Sequence, residues 1–161
     1  MKTIELNTVI EVRDIDELSS ADRTLVEKAI KACDNAYAPY SNFHVGACIR
    51  LKNGLEIIGA NQENAASPCG LCAERTAIFA AQAQYPDQPI LSLAIAARNV
   101  SGELTSVPTA PCGQCRQVIL EIEDRYKQPI RLLLYSTQGT YILNSIQDIL
   151  PLCFVGNSLG A

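Results

Sequence analysis

Ile4, Leu6, Val9, Ile10 and Val12 stand among polar residues over 3–13, a near-alternating pattern that predicts an N-terminal strand or arm. The period then changes. Leu25, Val26, Ala29, Ile30 and Cys33 recur at helical spacing, with Ser19 or Ser20 available as a cap and Pro39 expected to end the helix. Residues 43–51 and 55–61 flank Lys52-Asn53-Gly54 and predict a β-hairpin, because Asn-Gly supplies the positive φ angles of a tight turn. An alanine-rich helix is expected from Cys72 to about Gln84, a buried strand over 90–98, and a third helix from Cys112 to about Tyr126. Another buried strand follows at 130–136, then a short turn, a strand at 141–144 and a helical turn at 146–150.

Two strands joined by about three residues can pair only as an antiparallel hairpin. The element order therefore implies an α/β fold: a three-layer αβα sandwich whose mixed five-stranded sheet has its last two strands antiparallel, plus an N-terminal extension. One domain is expected over 1–161, with an arm at 1–18 and a core at about 20–154.

With 161 residues the chain can bury a full core, and 48% hydrophobic with 19% charged residues excludes disordered and membrane-spanning classes. The formal net charge of −4 argues against a nucleic-acid surface. Lys2, Glu5, Glu11, Arg13 and Asp14 surround no apolar leader segment, so a cytoplasmic location is expected. A reducing setting also suits seven cysteines, an odd number in a chain longer than small disulfide scaffolds. Cys33, Cys48 and Cys153 lie in apolar surroundings and are expected to be small hydrophobes.

The chemistry concentrates in Cys72-Ala73-Glu74-Arg75 and Pro111-Cys112-Gly113-Gln114-Cys115-Arg116. Cys72, Cys112 and Cys115 offer three anionic sulfurs to one tetrahedral Zn²⁺ per chain and leave the fourth position open. Glu74 is too near Cys72 to ligate without strain and is placed to face a water there. Such a water, acidified by zinc, is a nucleophile near neutral pH, and the set reads as hydrolysis at an electrophilic carbon. Both ligand segments open helices, whose N-termini favour thiolate over thiol. Arg75 and Arg116 could each donate to sulfur and offset the surplus negative charge. A structural zinc clip would need a fourth ligand from Cys69 or from His44, the sole histidine, and would leave Glu74 without a role. Cys69 is read as a bystander.

These motifs, together with 40–47 (Tyr-Ser-Asn-Phe-His-Val-Gly-Ala) and 59–66 (Gly-Ala-Asn-Gln-Glu-Asn-Ala-Ala), resemble in order and spacing the small homotetrameric class of zinc-dependent cytidine deaminases, over roughly 25–154. The resemblance implies deamination of cytidine and 2′-deoxycytidine, with Glu74 as proton shuttle and Arg75 as donor to sulfur. It further implies Phe43 stacking on the pyrimidine, Asn61 and Glu63 on the sugar hydroxyls, and Phe154 beside a neighbouring subunit's base pocket. The Ala73 backbone N–H, at the helix start, is a plausible donor to the base carbonyl. The partners expected are a nucleoside substrate and copies of the same chain, with no nucleic acid and no membrane. Arg75 is the better candidate for the sulfur contact. Ser67 departs from the pattern, since many relatives carry an aromatic residue there; the missing ring removes packing at the pocket wall, so the resemblance fixes the zinc chemistry more closely than the preferred nucleoside. Deaminases of tRNA and DNA resemble a version with a parallel last strand. Alternatives are a deaminase of a modified cytosine nucleoside and a non-catalytic, zinc-stabilised nucleoside-binding module.

Overall fold

The computed structural model describes residues 1–160, and its elements follow the sequence periodicities closely. Ser19 caps α1 (Ser20–Ala32) by accepting from the Asp22 N–H at 3.1 Å. The helix ends well before Pro39, passing into a 3₁₀ turn at Cys33–Asn35. Asp34 and Asn35, whose side chains compete with helical hydrogen bonding, favour that turn. The hairpin pairs β2 (His44–Leu51) with β3 (Glu56–Ala60) around Gly54, at φ +86°. Then come α2 (Ala73–Gln84), β4 (Ile90–Arg98), α3 (Gly113–Tyr126), β5 (Arg131–Leu134) and β6 (Thr140–Leu143).

The sheet has six strands rather than the expected five. A short β1 (Glu11–Arg13) adds to β6, giving the order β1-β6-β5-β4-β2-β3. Of the alternating segment 3–13 only these three residues pair, from Glu11↔Ile142 to Arg13↔Thr140. Only β4 and β5 run parallel, and β5–β6 is the expected antiparallel hairpin.

Three layers result. β4 is covered on both faces, so its apolar run is nearly continuous. Its Ala94 and Ala96, with Cys48 and Leu133, pack against Leu25, Val26 and Ala29 of α1. Its Leu93 and Ile95, with Ile49 and Leu132, pack against Ile78 of α2 and against Ile119 and Leu120 of α3. Each large side chain buried this way contributes about 1.5–3 kcal/mol. Two glycines set how closely the helices approach. A Cβ on Gly46 would lie 2.6 Å from the Cys33 nitrogen, and one on Gly59 would lie 2.5 Å from the Ala77 nitrogen. Gly59 thus lets α2, the helix that follows Cys72, sit directly on β3.

Cys33 and Cys48 are buried and Cys153 is half-buried against the core. Burial pushes the Cys48 thiol up to about 12, so it stays protonated, as a small hydrophobe should. Among the described residues, no helix is long and apolar enough to cross a membrane.

Candidate active site

The N-termini of α2 and α3 meet at one end of the sheet, and each begins with a cysteine in the N-cap position. Cys72 (φ −72°, ψ 156°) and Cys112 (φ −66°, ψ 169°) have extended cap geometry, yet neither side chain caps its helix. Their sulfurs turn toward each other instead, 3.9 Å apart, with Cys112 3.5 Å from Cys115. All three lie within 4.8 Å of one another. Sulfurs about 2.3 Å from a tetrahedral zinc stand about 3.8 Å apart, so donor type and spacing both fit the metal. Cys69 is exposed and stands outside this cluster, as does His44. Among the described residues no fourth His, Cys, Asp or Glu joins this group, so a structural clip would need a ligand from elsewhere.

Charge within the cluster is uneven. The Cys72 thiol is pushed down to about 5, first by its hydrogen bond with Cys115 and then by those from Arg75 and Cys112. Cys115, fully buried, is pushed up by that same contact with Cys72 and by burial. Arg75 donates to the Cys72 sulfur at 3.7 Å and to the Gly70 carbonyl at 3.4 Å. Arg116 does not touch sulfur. It donates to the carbonyls of Pro111 (2.8 Å) and Ile149 (2.6 Å), so of the two arginines only Arg75 reaches a sulfur.

Glu74 is only 4% exposed, and burial holds its carboxyl above the usual carboxylate range. It lines a cavity of about 630 Å³ together with Cys72, Cys112, Phe43, Asn61 and Glu63. The Asn61 carboxamide clasps the start of β2, accepting from Val45 N–H at 2.8 Å and donating to the Phe43 carbonyl at 2.9 Å, so it fixes the backbone that carries the Phe43 ring. Glu63 accepts from the N–H groups of Tyr40 (2.8 Å) and Ser41 (3.3 Å), and contacts with Ser41 and Tyr40 hold its carboxyl below the usual range. The Ala73 side chain is fully buried, and its N–H lies in the first turn of α2, where no intrahelical acceptor exists.

Cys115, Ala73 and Arg75 stand behind the cavity wall, and Phe154 does not line the cavity either. It is 56% exposed, and its carbonyl accepts from Gln117 at 2.9 Å. Thr109 and Ala110, which sequence reasoning passed over, line the wall just ahead of Pro111. Their position next to the Pro-Cys motif is the signal that could have found them.

Three sulfurs with one position left over, opening on a buried carboxylate, is the arrangement of a catalytic metal rather than a structural one, and places the chain among metal-dependent enzymes. Comparison with known proteins sharpens this. The family described as the cytidine and deoxycytidylate deaminase zinc-binding region matches residues 19–127, and the chain belongs to that family. A cytidine deaminase of Halalkalibacterium halodurans is 36% identical over 135 residues, 84% of this chain and 95% of the relative. A cytidine deaminase of Sporosarcina psychrophila is 41% identical over 97 residues, 60% of this chain and 66% of its own. The crystal structure of cytidine deaminase from Burkholderia pseudomallei superposes with a TM-score of 0.70 at 39% identity, over 81% of this chain and 97% of that one.

Proposed function

We propose that the chain hydrolyses cytidine and 2′-deoxycytidine to uridine and 2′-deoxyuridine, releasing ammonia. One observation carries this reading: a three-sulfur cluster without a fourth protein ligand opens on Glu74, buried two residues from Cys72. Zinc held there by Cys72, Cys112 and Cys115 supplies acidification of a water near neutral pH. Glu74 moves the protons. Its raised pKa suits a group that must first accept and then give: it takes a proton from the water, passes it to N3 of the pyrimidine, and carries a second to the departing amino group. Protonation at N3 makes C4 electrophilic, so water adds at that carbon and the C4–N bond breaks. Arg75 offsets the negative charge of the sulfurs, and the Ala73 N–H faces the base carbonyl.

Phe43 presents its ring to the base, while Glu63 and the remaining N–H of Asn61 take the sugar hydroxyls. No lysine or arginine lines the cavity among the described residues, so a 5′-phosphate would meet Glu63 and Glu74 without a counter-charge. That favours nucleoside over nucleotide. Ser67, exposed on the cavity wall, leaves room where an aromatic ring would stand, which supports acceptance of a modified cytosine nucleoside as a second reading. The exposed ring of Phe154, outside its own chain's cavity, and the exposed Phe79 on the outer face of α2 suit a homotetramer in which neighbours complete each site. A reducing cytoplasm is the setting that suits the free cysteines of this chain, three of them in the site.

The test is a deamination assay on cytosine, cytidine, deoxycytidine, dCMP and adenosine, with zinc measured on the same sample. Turnover of the two cytosine nucleosides with one zinc per chain is expected. Zinc-loaded protein that releases no ammonia from any of the five would leave the binding-module reading in place.

A further inference from the structure

The first turn of α3 carries more than metal ligands. Arg116, directly after Cys115, forks between two carbonyls: its Nε donates to Pro111 at 2.8 Å and its Nη1 to Ile149 at 2.6 Å. The Pro111 carbonyl belongs to the same planar peptide unit as the Cys112 nitrogen, so holding that oxygen fixes the plane from which the Cys112 sulfur departs. The next residue, Gln117, donates to the Phe154 carbonyl at 2.9 Å.

Two adjacent side chains of the ligand-bearing helix thus grip residues 149–154 at both ends. The segment between the grips is strained. Leu152 sits at φ +53°, in the left-handed region, with its side chain 89% exposed. Such a conformation is unfavourable for a leucine and persists only where its surroundings enforce it. Nothing packs on the Leu152 side chain; Ile149, Leu150 and Cys153 rest on the core to either side of it, and the two anchors tie the same segment to α3.

We propose that Arg116 and Gln117 form a latch joining the Cys112 ligand loop to the C-terminal strap, so that metal retention and the placement of Phe154 are coupled. This rests on the ligand assignment given above. Arg116 is a positioning residue: it acts on zinc through the Pro111–Cys112 peptide and on Phe154 through the strap. Coupling of this kind is reciprocal, so loosening the strap weakens the hold on the metal.

The experiment uses zinc-loaded wild type, Arg116→Ala, Arg116→Lys and Gln117→Ala. Two rates are read: zinc transfer to a colorimetric chelator, and chymotryptic cleavage at Leu152 and Phe154 followed by intact mass. Circular dichroism verifies the fold of each protein. Arg116→Ala should raise both rates roughly tenfold or more, the effect of losing charge-assisted hydrogen bonds. Arg116→Lys should lie between, because an ammonium lacks the fork that spans two carbonyls. Gln117→Ala decides the matter, since Gln117 touches the strap and no ligand loop. It should speed zinc release as well as cleavage, and a zinc-release rate equal to wild type would overturn the coupling while leaving the ligand assignment intact. Wild type that binds no zinc would instead overturn that assignment, and the latch with it.

Discussion

Three helices of this protein begin with nearly the same backbone and different atoms. The N-cap residues Ser19 (φ −56°, ψ 153°), Cys72 (φ −72°, ψ 156°) and Cys112 (φ −66°, ψ 169°) all have extended geometry. On α1 the serine oxygen turns inward and accepts from the third residue on, closing the helix. On α2 and α3 the sulfurs turn away, toward each other and the cavity. One face of the sheet therefore carries a helix finished locally, and the other carries two helices left open at the ends that meet. Giving up a side-chain cap costs about 1 kcal/mol per helix. What is gained is a ring of free N–H groups and positive helix ends around three thiols, which is where thiolates are stable. The contrast separates a position that serves the fold from one that serves the site.

The sharpest way to break the contrast is to turn a site cap into a fold cap. Cys112→Ser should lose zinc and essentially all turnover, yet the serine oxygen can cap α3. With metal removed from both, the variant should be as stable as wild type or more so, by up to about 1 kcal/mol. Metal analysis and denaturant unfolding of the two apo proteins check this, and a variant that kept one zinc per chain would contradict the ligand assignment. Next in size is Glu74→Gln, which should retain zinc and fold but lose turnover by about 10²–10⁴-fold, because the amide cannot accept and return a proton. Near-normal activity there would remove the shuttle.

A smaller effect is expected at the sugar end of the cavity. Glu63→Ala should narrow the preference for deoxycytidine over its 3′-deoxy analogue, by about tenfold in the ratio of kcat/KM values. An unchanged ratio would take Glu63 away from the sugar. The smallest expected effect sharpens the comparison from its other side. Ser19→Ala should cost about 1 kcal/mol of stability and leave kcat unchanged, since α1 lies across the sheet from the site. A change in kcat with stability intact would show that the two faces are not so separate.

Most of this arrangement was legible before the fold. The periodicities of 25–33, 43–61, 90–98 and 130–144 reported local geometry, because a buried face must recur with the helical or strand period whatever the tertiary context. Cys72, Glu74, Cys112 and Cys115 could be read as a group since a metal dictates ligand type and number, and two of the ligands are neighbours along one helix. What the sequence could not report were contacts between segments far apart in it. The pairing of Glu11–Arg13 with β6, which raised the strand count to six, joins residues about 130 positions apart in the chain. Position alone did not separate Arg75 from Arg116, as each lies next to a ligand cysteine, and only the family resemblance favoured Arg75. Only the packed structure aimed one at the Cys72 sulfur and the other at the carbonyls of Pro111 and Ile149. Local sequence constrains backbone and side-chain type, whereas the target of a long, flexible side chain is set by whatever polar atoms the whole fold brings within its reach.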